Sequence, residues 1–249
     1  MKSIVYTVLA VLTVFSCNVH KEQRIMTYNI RNAIGMDDIT DYGRIAAVIT
    51  SNNADVVAVQ EIDSAAQRSN GVFVLEEIAR HAKMELSFGA SIPFQGGKYG
   101  IGILSKEKPL STKSFALPGR EEKRSALVAE FEDYVVCCTH FSLNPEDRLA
   151  SVAIINDCTK AYKKPVFLAG DLNDSPSSNL IRELQKSWTI LNDTDQPTIP
   201  SDNPKTCIDY VLVRKTDKVE VINTAVIDEK IASDHLPVYV DVTLPTFCP

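Results

Sequence analysis

The chain has 249 residues, of which 45% are hydrophobic and 23% are charged. These values fit one large domain that buries a core, and no low-complexity segment or internal repeat interrupts it. The formal net charge is -6. A protein that grips many phosphates normally carries a basic face, so the acidic balance disfavours an extended nucleic-acid footprint.

The N-terminus has the layout of an export signal. Lys2 supplies the positive charge, and residues 4–15 form an apolar stretch that is too short to span a bilayer as a mature helix. The stretch ends in Val14-Phe15-Ser16-Cys17, which resembles a bacterial lipobox. The resemblance implies a signal peptide over 1–16, acylation of Cys17 and a polar tether over 17–23. A plain signal peptide with an incidental Cys17 is the alternative.

Apart from Cys17, the cysteines predict little about the structure or the function. With Cys17 acylated an odd number remains, and their spacing matches no zinc pattern. Cys137 and Cys138 are neighbours on a predicted strand, so their side chains should point to opposite faces. Export permits disulfides, and a bridge between Cys207 and Cys248 is one pairing that the sequence leaves open.

Segments with strand and helix patterns alternate along the rest of the chain. Strands are predicted over 24–30, 55–60, 100–105, 127–131, 134–140, 165–169, 208–213, 219–227 and 236–242. Helices are predicted over 42–51, 72–83, 146–162 and 177–186. The alternation indicates an α/β protein with a mixed sheet. No linker rich in Pro, Gly or Ser divides the chain, so one domain is expected over 24–249.

Five of these apolar strands lie next to residues that are able to bind a metal or a phosphate. The residues are Asn29, Glu61, His140, Asp171 with Asn173, and Asp234 with His235. Each of them alone is more typical of a turn, a cap or a solvated loop, but five coincidences are improbable. Charges at the ends of buried strands are costly to desolvate unless they are paired or bind a cation. Carboxylates and an amide without cysteine favour Mg²⁺, with Mn²⁺ as the alternative.

These residues stand in motifs that resemble those of the endonuclease/exonuclease/phosphatase superfamily, which includes DNase I-like nucleases and sphingomyelinases. The motifs are Thr27-Tyr28-Asn29-Ile30, Val59-Gln60-Glu61, Tyr99-Gly100-Ile101-Gly102-Ile103-Leu104-Ser105, Thr139-His140, Gly170-Asp171-Leu172-Asn173, Ile208-Asp209-Tyr210 and Ser233-Asp234-His235-Leu236-Pro237. The resemblance covers nearly the whole mature chain. It implies a four-layer α/β sandwich, in which two mixed β-sheets pack face to face with helices outside, and hydrolysis of a phosphoester by water.

The resemblance also implies roles for five catalytic residues of this sequence. Asp171 should orient or deprotonate the attacking water, and Asn173 should hold the phosphate. His235 should contact the scissile phosphate, with its imidazole oriented by Asp209. His140 should donate to a phosphate oxygen or to the leaving group.

Three further residues are expected at the metal, and two arginines are candidates for the phosphate. Glu61 should be the main Mg²⁺ ligand, with Asn29 and Asp234 close to the ion. Arg124 precedes a strand and is suited to clamp a phosphate bidentately. Arg31 follows the first motif and has the same capacity. A surface arginine is the alternative for both positions.

Three functions are compatible with this reading. The favoured one is a metal-dependent phosphodiesterase or phosphatase that acts on a small-molecule or lipid-derived phosphoester at the cell envelope, anchored on its periplasmic or cell-surface side. The second is an envelope nuclease for DNA or RNA. The third is a non-catalytic surface binding protein, which predicts the loss of a catalytic residue, whereas all of them are present. A monomer is expected.

Overall fold

The computed structural model describes residues 21–245. The predicted signal peptide, Cys17 and Cys248 lie outside the described residues, so the lipid anchor and the Cys207–Cys248 pairing stay predictions. The described residues form twelve strands, β1 (Lys21–Asn29), β2 (Val56–Ser64), β3 (Glu85–Phe94), β4 (Gly97–Ser105), β5 (Ser111–Leu117), β6 (Arg124–Glu130), β7 (Val135–His140), β8 (Val166–Asp171), β9 (Trp188–Ile190), β10 (Asp209–Arg214), β11 (Glu220–Val226) and β12 (Val238–Leu244). The helices of this part are α1 (Tyr42–Ser51), α2 (Val74–Ala82), α3 (Pro145–Thr159) and α4 (Asn179–Leu184). None of these helices is long and apolar enough to span a bilayer.

The strands form two mixed sheets of six strands each. The first sheet has the order β11-β12-β1-β2-β4-β3, and the second has the order β5-β6-β7-β8-β10-β9. In each sheet the two central strands, β1 with β2 and β7 with β8, are parallel, and the other pairs are antiparallel. The central strands are buried on both faces, which explains their nearly continuous apolar sequence.

Three apolar layers hold the sheets and helices together. One cluster lies between the sheets and includes Val56 and Ala58 of β2. The alternating residues Val57 and Val59 face the opposite way, into the cluster beneath α1 and α2. A third cluster joins the second sheet to α3 and α4. The layer order is therefore helix, sheet, sheet, helix, and the predicted four-layer α/β sandwich is confirmed.

The two adjacent cysteines of β7 illustrate the same alternation. Cys137 belongs to the cluster beneath α3, whereas Cys138 belongs to the cluster between the sheets. Their predicted orientation toward opposite faces is confirmed.

Strand boundaries differ from the prediction where pairing, rather than hydrophobicity, defines the strand. β1 begins at Lys21, within the segment 17–23 predicted as a tether, because Lys21 to Gln23 pair with β12. The edge strands β3 and β5 and the short β9 were not predicted. β3 and β5 are largely exposed or half-buried, so their sequences lack a clear apolar alternation.

Candidate active site

The strands bring the polar residues to the same end of both sheets, where the central strands β1, β7 and β8 finish. β1 ends at Asn29, and the parallel pair β7 and β8 ends at His140 and Asp171. β10 runs in the opposite direction, so its first residue, Asp209, pairs with Asp171 in register. The segment before β12 brings His235 to the same end of the sheets, which we call the site end of the molecule.

Asn29 connects the two sheets at this end. Its side chain is fully buried, and its Nδ2 donates to Glu61 Oε1 at 3.0 Å and to Asp171 Oδ2 at 3.1 Å. Glu61 belongs to the first sheet and Asp171 to the second. Two carboxylates from different sheets therefore converge on one amide.

Glu61 lies inside β2 and not at the end of the strand, which corrects the sequence-based placement. The pairing of β2 with β4 shifts between Val59 and Ile62, and Glu61 sits in this bulge with φ 61°. A positive φ in a residue other than glycine costs about 1–3 kcal/mol, and such strain is common at functional sites. The bulge lets the strand continue while Glu61 faces Asn29.

Asp171 is fixed by its neighbours on β8 and in the loop that follows. Gly170 allows β7 to approach closely, because a Cβ at this position would lie 2.0 Å from the carbonyl oxygen of Thr139. Asp171 Oδ1 accepts from the backbone N–H of Asn173 at 2.8 Å. Asn173 has a left-handed φ of 52°, and its Nδ2 donates to the Phe141 carbonyl at 2.9 Å. Burial raises the pKa of Asp171, and the charge of Asp209 adds to the rise.

His235 and Asp209 form a buried carboxylate–imidazole pair. Asp209 Oδ2 lies 2.9 Å from His235 Nδ1 and also accepts from Thr198 Oγ1 at 2.5 Å. His235 Nε2 points the other way and lies 3.7 Å from Asp171 Oδ2. Burial lowers the pKa of His235, but the charge and hydrogen bond of Asp209, with the charges of Asp171 and Asp234, outweigh burial and raise it to about 10. The pair thus fixes the ring and keeps it protonated.

His140 faces the same carboxylate from the other side. Its Nε2 lies 3.4 Å from Asp171 Oδ2. Burial lowers the pKa of His140 well below the ordinary histidine value, and the nearby charges of Arg124 and His235 lower it further. A neutral His140 donates a single N–H and does not act as a cation.

Asp234 and the preceding serine complete the loop before β12. Asp234 is half-buried, and its Oδ1 lies 3.3 Å from Ser233 Oγ. Ser233 Oγ donates to the backbone carbonyl of Asn29 at 2.7 Å, which fixes this loop to the end of β1. Asp234 therefore lies beside the serine that holds this loop to Asn29, and its expected place close to the metal stays a prediction.

The two candidate arginines differ in position. Arg124 is the first residue of β6 and is only 7% exposed. Its Nη1 lies 3.1 Å from Glu122 Oε1, while its buried Nε has no hydrogen-bond partner within residues 21–245. The Arg31 guanidinium instead donates to the Gly35 carbonyl at 3.4 Å and donates to no site residue in the described part of the chain.

Two functional contacts were not anticipated from the sequence. Thr198 donates to Asp209, and Ser233 supports Asn29. Ser233 lies in a recognised motif but was assigned no role. Thr198 is a lone threonine in a loop, and no sequence pattern distinguishes it from other loop residues.

The donor set fits a hard divalent cation. Glu61, Asp171, Asp209 and Asp234 supply oxygens, and no cysteine lies among the site residues. The closest group of three metal-competent side chains in residues 21–245 is Asp171, Asp209 and His235, whose ligand atoms lie within 4.8 Å of one another. Asp209, however, is bonded to the Nδ1 side of His235 and Asp171 faces the Nε2 side. The side where Glu61 and Asn29 meet is therefore the better cation site.

Comparisons with known proteins agree with this geometry. Residues 26–235 match the Endonuclease/Exonuclease/phosphatase family. No protein in a set of curated proteins matches the chain. An endonuclease/exonuclease/phosphatase from Beutenbergia cavernae is 25% identical, with a TM-score of 0.74 over 90% of this chain and 72% of the other.

Two Bacteroides structures have the same fold at lower identity. An endonuclease/exonuclease/phosphatase from Bacteroides vulgatus is 19% identical, with a TM-score of 0.75 over 90% of this chain and 99% of the other. A mannosyl-6-phosphatase of Bacteroides thetaiotaomicron is 15% identical, with a TM-score of 0.70 over 88% and 99%. The chain belongs to the endonuclease/exonuclease/phosphatase family and is a metal-dependent phosphoric ester hydrolase.

Proposed function

We propose that the protein is a Mg²⁺-dependent phosphodiesterase or phosphatase of the cell envelope, anchored by acylated Cys17, whose substrate is a small-molecule or lipid-derived phosphoester. The observation that carries the catalytic part of this proposal is the convergence of Glu61 and Asp171 on the Asn29 amide. Carboxylates from two sheets are brought together at a cost in repulsion and desolvation, which a bound cation offsets.

Glu61, Asn29 and Asp234 are the residues that would hold Mg²⁺. When bound, the ion supplies polarisation of a phosphoryl oxygen and lowers the pKa of water. The raised pKa of Asp171 suits a group that takes a proton from the attacking water near neutral pH. Its Oδ2 lies within 3.7 Å of both catalytic histidines.

The protonated His235 would stabilise negative charge on the phosphate. Asp209 keeps the Nδ1 proton engaged, so the Nε2 proton faces the cleft beside Asp171. His140, held neutral, would donate one hydrogen bond to a phosphate oxygen or to the leaving group.

Arg124 is the stronger of the two arginine candidates for the phosphate. Its guanidinium is buried, its charge acts on His140, and its Nε donor has no partner in residues 21–245, so an anionic oxygen would satisfy this donor. The Arg31 guanidinium donates to the Gly35 carbonyl, and its contacts do not support a phosphate role.

The first test is hydrolysis by the purified soluble domain with Mg²⁺ and with EDTA. The substrates are bis-p-nitrophenyl phosphate, p-nitrophenyl phosphate, sphingomyelin, an inositol phosphate and plasmid DNA. EDTA-sensitive cleavage of a small or lipid ester without plasmid nicking is expected. Efficient nicking would favour a nuclease, and activity that survives EDTA would refute the metal-dependent mechanism.

The metal ligand is tested by Glu61→Gln. Loss of this carboxylate should raise the Mg²⁺ concentration for half-maximal activity about 10–100-fold. Glu76→Gln, an exposed change on α2, is the control. An unchanged metal dependence in Glu61→Gln would remove Glu61 from the metal site.

The anchor is tested separately by Cys17→Ser. The variant should leave the membrane fraction for the soluble fraction, because each buried acyl CH₂ contributes about 0.8 kcal/mol. Mass spectrometry of the mature N-terminus should find diacylglycerol on Cys17 in the parent protein. An unmodified N-terminus would refute the anchor and leave the catalytic proposal standing.

A further inference from the structure

We infer that the anchored protein holds its active site away from the membrane that carries it, and that its substrate is therefore a water-soluble phosphoester. The inference rests on the acylation of Cys17 in the proposed function and narrows the substrate class of the same site. It follows from the direction of β1 and from the number of residues between Cys17 and that strand.

β1 spans the molecule from the anchor side to the site. Its first residue is Lys21, and its last residue is Asn29 at the centre of the site. At about 3.4 Å per residue, the two Cα atoms lie about 27 Å apart. We call the opposite end of the sheets, where β1 begins, the anchor end.

The chain between Cys17 and β1, which is shorter than the predicted tether because β1 begins at Lys21, is too short to let the domain turn over. Only Asn18, Val19 and His20 separate Cys17 from Lys21. At about 3.5 Å per residue, even a fully extended tether keeps the Lys21 Cα within about 14 Å of the Cys17 Cα. A domain with Asn29 at the bilayer would lift Lys21 about 27 Å above it, which is nearly twice this reach.

Contacts at Lys21 fix the anchor end to the rest of the fold. Lys21 Nζ forms ion pairs with Asp133 at 2.9 Å and with Glu107 at 3.6 Å. Asp133 lies between two strands of the second sheet, and Glu107 follows β4 of the first. The start of β1 is thus joined to both sheets and does not act as an extension of the tether.

Two exposed leucines give matched probe positions for a test. Leu110 is 60% exposed and hydrogen-bonds through its backbone to Glu130, at the anchor end of β6. Leu143 is 63% exposed and lies three residues after His140. Neither leucine belongs to the catalytic machinery.

The experiment places a bimane fluorophore on L110C or on L143C in the full-length lipidated protein, with C158S and C248S in both variants. The protein is reconstituted into vesicles of phosphatidylethanolamine and phosphatidylglycerol that contain a nitroxide-labelled lipid. Quenching at L110C is expected to exceed quenching at L143C at least threefold. Equal quenching, or stronger quenching at L143C, would overturn the orientation.

Activity on the same vesicles tests the substrate class. Hydrolysis of bis-p-nitrophenyl phosphate should be the same within twofold for the anchored protein and for the soluble Cys17→Ser variant. Faster hydrolysis of sphingomyelin in the anchoring vesicle than of the soluble ester would overturn the inference. Absence of EDTA-sensitive hydrolysis in both forms would instead refute the proposed function, and an unacylated Cys17 would remove the basis for the orientation.

Discussion

His235 and His140 are the same residue type, are both buried and face the same Asp171 oxygen, yet the first is a cation and the second is neutral. Asp209 lies 2.9 Å behind His235 and raises its pKa to about 10. No carboxylate of residues 21–245 is hydrogen-bonded to His140, from which Asp171 Oδ2 lies 3.4 Å away, and burial together with the charge of Arg124 lowers its pKa well below the usual range. The neighbouring charge, and not the degree of burial, decides which imidazole is a cation.

This difference divides the chemistry between the two sides of the site. The His235 side carries a fixed positive charge that would balance a phosphate. The His140 side carries a neutral hydrogen-bond donor beside the arginine that lowers its pKa. Asp171 lies between them, and the charge of His235 partly offsets the rise in its pKa that burial causes.

The largest expected effect is the loss of the cationic histidine. His235→Ala should lower kcat/KM about 10²–10⁴-fold with saturating Mg²⁺, because it removes the charge that faces the phosphate. Steady-state kinetics on bis-p-nitrophenyl phosphate measure this loss.

His81→Ala, an exposed change on α2, is the matched histidine control and should keep parental activity. If His235→Ala retained full Mg²⁺-dependent activity, the assignment of the two histidines would be wrong.

A smaller effect is expected when the imidazole stays and its partner loses charge. Asp209→Asn should lower the pKa of His235 and reduce kcat/KM on the order of 10²-fold, the lower end of the range for His235→Ala.

In EDTA, the Asp209–His235 pair should also affect the free energy of unfolding. A histidine whose pKa is raised on folding stabilises the protein fully below its unfolded value of about 6.5, and this contribution is lost as pH rises through about 10.

Urea unfolding between pH 8 and pH 10 measures this contribution. The parental free energy of unfolding should fall by about 2 kcal/mol across this window, and the fall should be much smaller in Asp209→Asn. Asp171, whose pKa is also raised, changes the stability in the same direction, but its loss begins near pH 4, where this carboxyl ionises in the unfolded chain, and ends near pH 7, below the measured window. Parallel curves for the two proteins would contradict the assigned pair.

Local patterns predicted an α/β protein with a mixed sheet, and the resemblance of the motifs implied the four layers and the candidate site residues. The Val-Val-Ala-Val run of β2 is apolar on both faces, which is diagnostic of a central strand. The motifs keep their order along the chain, so the sequence alone names Asn29, Asp171, Asp209 and His235 as candidates, and the fold brings these side chains together.

The features that the sequence does not predict depend on pairing between distant segments. The bulge at Glu61 arises where β2 shifts against β4, and the residues of β2 alone contain no signal for it. The same holds for Arg124, since a charged loop sequence reads as surface although its guanidinium is buried. Nor does a lone Thr198 reveal that it supports Asp209 from a loop eleven residues away.

The smallest expected effect concerns the arginine on the His140 side. Arg124→Ala should lower kcat/KM about 10–50-fold, mainly through KM, because it removes charge-assisted hydrogen bonds to the phosphate. It should also raise the pKa of His140, although burial, the largest cause of the shift, remains and should hold this pKa below the usual value. NMR titration of the His140 imidazole measures the second effect.

Arg124→Lys keeps the charge but loses the planar fork of the guanidinium. It should therefore leave the pKa of His140 closer to its parental value than KM. Arg182→Ala on the exposed face of α4 is the control. Unchanged KM together with an unchanged His140 pKa in Arg124→Ala would mean that burial alone keeps His140 neutral and that the phosphate is held by other groups.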